Sequence, residues 1–110
     1  MSLDFYLQYE IDGNEIKVFE SNITHNLNKM ATEAGIYEAL WHPDRIGAVY
    51  AKDIIPVLLS GYNKLTENPS IYKAFNNPDG WGLYEHFLPF VKNVLNACIK
   101  YPSAKIKTST

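Results

Sequence analysis

Asn22-Ile23-Thr24-His25-Asn26-Leu27 is where the chain changes period. Upstream of it apolar side chains alternate; downstream they recur every three or four residues. A period of two puts successive side chains on opposite faces of a strand, and a period near 3.6 lines one face of a helix. The stretch therefore joins a sheet to a helical segment. It also sets four side chains with hydrogen-bonding heads (Asn22, Thr24, His25, Asn26) beside a helix N-terminus.

Working back, Leu3, Phe5, Leu7, Tyr9 and Ile11 alternate with Asp4, Tyr6, Gln8 and Glu10, the pattern of a half-buried strand. Asp12-Gly13-Asn14 supplies a turn, since Gly and Asn tolerate positive φ. Residues 15–21 alternate again, with Ile16 and Val18 on one face and Lys17 and Phe19 on the other, completing a hairpin. Working forward, Leu27, Met30, Ala31 and Ala34 line a helix face, with Thr24 as N-cap and Gly35 as its end. Residues 36–40 form a further short helical turn closed by Trp41-His42-Pro43, and 43–52 read as a loop. Asp53 is placed to cap a helix in which Ile54, Ile55, Leu58, Leu59, Tyr62 and Leu65 share a face, with Pro56 in its first turn. Asn68-Pro69 starts a short helix turning Tyr72 and Phe75 inward. Asn76-Asn77-Pro78-Asp79-Gly80-Trp81-Gly82 is a dense turn cluster. A last helix spans about 83–100, with Tyr84, Phe87, Leu88, Val91, Val94, Leu95 and Cys98 buried and Pro89 in its interior. Residues 104–108 form a third strand. This order predicts one α+β domain over 1–110: a small antiparallel sheet with three to five helices packed on one face.

With 110 residues, 46% apolar and 20% charged, the chain can bury a core without metal or disulfide. A single cysteine, Cys98, forms no internal disulfide and fits a reducing compartment. The net charge of −2 and scattered cations give no phosphate-binding stripe, so nucleic acid is not an expected partner. No signal-peptide pattern and no apolar run of membrane-spanning length occurs, which predicts a cytoplasmic protein with no membrane contact.

Three segments together carry a resemblance: Asn22-Ile23-Thr24-His25-Asn26-Leu27 with Met30-Ala31; Ala34-Gly35-Ile36-Tyr37 through Leu40-Trp41-His42-Pro43; and Asn77-Pro78-Asp79-Gly80-Trp81-Gly82-Leu83-Tyr84. The chain resembles, over most of its length, a family of small uncharacterised proteins of bacteria and of their phages and prophages. The resemblance implies an accessory role in a phage or prophage setting and carries no mechanism.

The residues offer two candidate walls of one site. The first is Asn22, Thr24, His25 and Asn26, where free N–H groups favour an anion or a carbonyl. Its plainer reading is helix capping, which explains Asn22, Thr24 and Asn26 but not His25. The second is Asn77, Asp79, Trp81 and Tyr84, where glycines on both sides of Trp81 present an indole that Asp79 or Asn77 could orient. Its plainer reading makes Trp81 a plug at the end of the core and Asp79 a helix cap. Trp41 and His42 before Pro43 could complete the same pocket, but the plainer reading, a core role, suits Trp41 better. His86 has no ligand residue one helical turn away, and no metal or other cofactor is expected. Cys98, late on an apolar helix stripe, reads as a buried structural thiol. No nucleophile elbow or phosphate loop occurs. The first reading is a non-enzymatic binding or interaction protein that recognises a host protein or a small molecule. An exposed sheet face carrying Tyr6 and Phe19 would favour a protein partner or a homo-oligomer. The alternative is a small-ligand pocket, conceivably catalytic, between the two walls.

Overall fold

The computed structural model describes residues 2–110. Strands β1 (Ser2–Ile11), β2 (Asn14–Thr24) and β3 (Lys105–Ser109) form an antiparallel sheet in the order β2-β1-β3. Between β2 and β3 lie α1 (Asn28–Glu33), α2 (Tyr37–Trp41), α3 (Ala51–Glu67), α4 (Pro69–Lys73) and α5 (Tyr84–Lys100), with 3-10 turns at His25–Leu27 and Pro43–Ile46. The α+β architecture and the pairing of the C-terminal strand with the hairpin follow the alternation and period change in the sequence.

The alternation of β1 sends Leu3, Phe5 and Leu7 into the core, and the register sets Ile23, Ser21 and Phe19 of β2 opposite them on the same face. The alternation predicts that Phe19 shares a face with Lys17, and it does not. The register slips between Leu7 and Gln8, so Val18 is an extra residue in β2. A bulge of this kind turns the strand by one residue and exchanges its faces. Phe19 accordingly packs edge-on against Phe5, ring centroids 6.5 Å apart, while Lys17 sits over Tyr6 on the outer face. That outer face pairs Tyr6 with Glu20 and Lys107, so the apolar patch of Tyr6 and Phe19 does not form.

One buried cluster joins the inner sheet face to the helices: Leu27, Met30 and Ala31; Ile36, Leu40 and Trp41; Ile54, Leu58 and Leu65; Phe87, Val91 and Cys98. Helix α3 begins two residues before Asp53, which is its third residue rather than its cap, and Pro56 lies beyond the first turn. Leu59 and Phe75, expected inside, are exposed, and Phe90 is more deeply buried than Leu88. Among the described residues no helix is long and apolar enough to cross a membrane.

Candidate functional site

The C-terminal end of β2 and the turn before α5 meet across an open groove of about 690 Å³. One wall is Ser2, Asn22, Ile23 and Thr24. The other is Asp79, Gly80, Trp81 and Gly82, with the exposed His86 beside it. Gly82 joins the second wall to the turn after β2: its φ of +96° disfavours any side chain, and a Cβ there would press to 3.0 Å on the Cβ of Asn26. The Asn26 side-chain amide donates to the Trp81 carbonyl at 3.4 Å. Asp79 accepts the Trp81 backbone N–H at 2.8 Å, closing a local turn that holds the indole outward. Trp81 is 68% exposed, so it does not plug the core.

Four of the residues picked out from the sequence thus converge: Asn22, Thr24, Asp79 and Trp81. Three lie next door, where His25, Asn26 and Asn77 line a smaller hollow of about 350 Å³ with Phe75. Two do not reach either space. Trp41 is 1% exposed and Tyr84 is buried. The Tyr84 hydroxyl donates to the Leu65 carbonyl at 2.7 Å, and burial pushes its pKa above the ordinary phenol value.

Helix capping is not what the junction does. Strand β2 continues through Thr24, whose side chain makes no cap bond to the 3-10 turn. Asn22 donates instead to Ser2 and Asp4 across the outer sheet face. His25, which capping could not explain, accepts the indole N–H of Trp41 at Nδ1 (3.2 Å). The two rings meet edge to face, and Tyr37 stacks on Trp41 with ring centroids 5.3 Å apart. Neither does Asp79 cap α5: Asn76 accepts the Tyr84 backbone N–H at 2.8 Å.

Ser2, His86 and Asn76 were missed. His86 joins the groove because it sits in the first turn of α5, just beyond the Trp81 turn, and helical ligand spacing could not show that. Among the described residues no three His, Cys, Asp or Glu side chains are placed to hold a metal ion. Cys98 is buried in the core, where burial pushes its thiol up to about 12.

Chemically, the groove offers a flat π-face, one carboxylate and several neutral hydrogen-bonding groups, with no lysine or arginine in its walls. Such a surface suits stacking and cation–π contact rather than anion binding. No family model, curated protein or solved structure matches the chain.

Proposed function

We propose that the protein is a non-enzymatic recognition protein whose contact surface is the groove between the end of β2 and the Trp81 turn. The observation that carries this reading is the outward indole of Trp81, held by the Asp79 turn and flanked by two glycines. An aromatic ring left in water forgoes hydrophobic stabilisation of about 25 cal/mol for each Å² not buried. A partner that covers the ring recovers it, which is why tryptophan anchors interfaces. The resemblance to small bacterial and phage proteins adds the setting, an accessory role in a phage or prophage, and says nothing of the mechanism.

A second reading, a small-molecule site, is favoured by the groove's volume, since about 690 Å³ lies within the usual range for ligand pockets. One experiment tests both. Wild type and Trp81→Ala are screened by thermal shift against metabolites, nucleotides and short synthetic peptides. A groove ligand raises the Tm of wild type and not of Trp81→Ala. The class of hit, peptide or metabolite, separates the two readings. Binders that stabilise both proteins equally would rule the groove out.

A further inference from the structure

We infer that the free edge of β2 accepts an extended peptide of a partner protein as a fourth strand, with a lysine or arginine of that peptide held between Trp81 and Asp79. This deepens the recognition reading above and rests on it for the anchor residue.

Among the described residues the backbone of β2 is bonded only to β1, so an 11-residue strand forms one border of the sheet. The outer side of such a strand presents alternating N–H and C=O groups without partners, a template for another extended chain. Toward the hairpin this edge is blunted by the bulge at Val18 and the charge of Lys17. From 19 to 24 the register with β1 is unbroken.

Helix α5 runs antiparallel beside the same stretch. His86 faces the groove at 22–24, whereas Asn93, Asn96 and Lys100 share a second hollow of about 390 Å³ with Val18, Phe19 and Ser21. His86, Asn93 and Lys100 are seven residues apart, so they lie on one stripe of the helix. The lengths agree. His86 to Lys100 spans about 21 Å of helix, and Val18 to Thr24 about 20 Å of strand. An extended peptide laid along β2 from one hollow to the other therefore has six or seven residues, roughly.

Charge selects the peptide. The hollow at Trp81 carries Asp79 and no lysine or arginine, and the two ion pairs among the described residues, Lys17–Glu20 and Lys73–Glu85, do not involve it. A guanidinium or ammonium there stacks on the indole and faces the carboxylate. A second copy of this chain is a poorer occupant. Pairing β2 with β2 would bring two α5 stripes of Asn93, Asn96 and Lys100 toward each other, and lysine is depleted from interface cores.

The test is selection of a displayed random dodecapeptide library on the immobilised full chain, followed by titration of the synthesised best peptide into isotope-labelled protein. The expected peptides carry a lysine or arginine beside alternating β-branched or aromatic residues. On binding, every second backbone amide over 19–24 gains exchange protection while those of β3 do not. Asp79→Asn, which keeps an acceptor for the Trp81 N–H, weakens binding by about tenfold or more through loss of the charge-assisted contact. Failure to enrich any peptide, or enriched peptides that leave the amides of β2 unprotected, overturns strand addition. If such peptides still need Trp81, the groove reading survives alone. Protection of β2 that is equal in wild type and Trp81→Ala upholds strand addition and overturns the groove as its anchor. Concentration-dependent protection of β2 without peptide, with a doubled mass in sedimentation, would name a second copy as the occupant and overturn the inference.

Discussion

The indole of Trp41 is buried with one donor, Nε1–H, which donates to Nδ1 of His25. That contact fixes the neutral histidine as the tautomer with its proton on Nε2. His25→Phe keeps a ring edge-on to Trp41 but removes the acceptor, and an unsatisfied buried donor costs about 1–3 kcal/mol. The expected result is a fall in Tm of several degrees, with His25→Phe/Trp41→Phe losing less than the sum of the single variants. Additive losses would show that the bond contributes nothing. Cys98 gives a second expectation at this scale. With its thiol at about 12, the native protein should resist a thiol-specific reagent at pH 8 and react only on unfolding. Rapid labelling of the folded protein would contradict the burial. Both residues show what the sequence can and cannot carry. The chemistry of Trp81 between two glycines, or of Cys98 on an apolar stripe, is local and legible. The partner of His25 lies 16 residues away and that of Asn26 lies 55 away, and pattern has no access to such pairings.

Helix α3 depends on two local arrangements of different kinds. At its start the Asp53 carboxylate accepts the backbone N–H of Tyr50 (2.9 Å) and of Val49 (3.0 Å), and these bonds lower its pKa. A carboxyl whose folded value lies below the unfolded value, near 3.9, stabilises the fold fully above that pH. The contribution is lost as pH falls through the folded value. Asp53→Ala should therefore be less stable than wild type at neutral pH, with the gap narrowing below about pH 4. A gap unchanged down to pH 2 would rule out the linkage. Farther along, Gly61 is buried against Ile36. A Cβ there would overlap Cγ2 of Ile36 and come within 3.2 Å of the Ala34 carbonyl. Gly61→Ala gains about 1 kcal/mol of helix propensity but overpacks a filled site at a cost of about 1–3 kcal/mol. We expect a net loss of stability, and Ile36→Ala should cost less in that variant than in wild type. A stabilised Gly61→Ala would show that the helix can move away. The elements themselves were legible from period and turn residues. Their details failed where one residue was added or a cap came from afar: the Val18 bulge exchanged the faces of β2, and Asn76 reaches Tyr84 across the Trp81 turn.

At the scale of the molecule, β1 is the hub. It pairs on both sides, and its inner residues Leu3, Phe5 and Leu7 are fully buried against the helices. Leu7 is opposite Phe19 on one side and Ile106 on the other, so the first and last strands close over the same core. The C-terminal strand is tied further to the start of α3 through Ile106 N–H to Val49 and Ala51 N–H to Ala104. A cluster shared in this way leaves neither sheet nor helices with a core of its own, and a domain of this size is expected to unfold in one step. The two tryptophans make the expectation measurable. Trp41 is buried at the centre and Trp81 is exposed at the groove, so Trp81→Phe leaves a single fluorophore that reports the core. In that background the denaturant transition seen by Trp41 fluorescence should coincide with the one seen by far-ultraviolet circular dichroism. Leu7→Ala, a large-to-small change at a filled site, should move both midpoints together by the equivalent of about 2–5 kcal/mol. If Leu7→Ala shifted only one of the two curves, sheet and helices would be separate cooperative units, and β1 could not be the element that joins them.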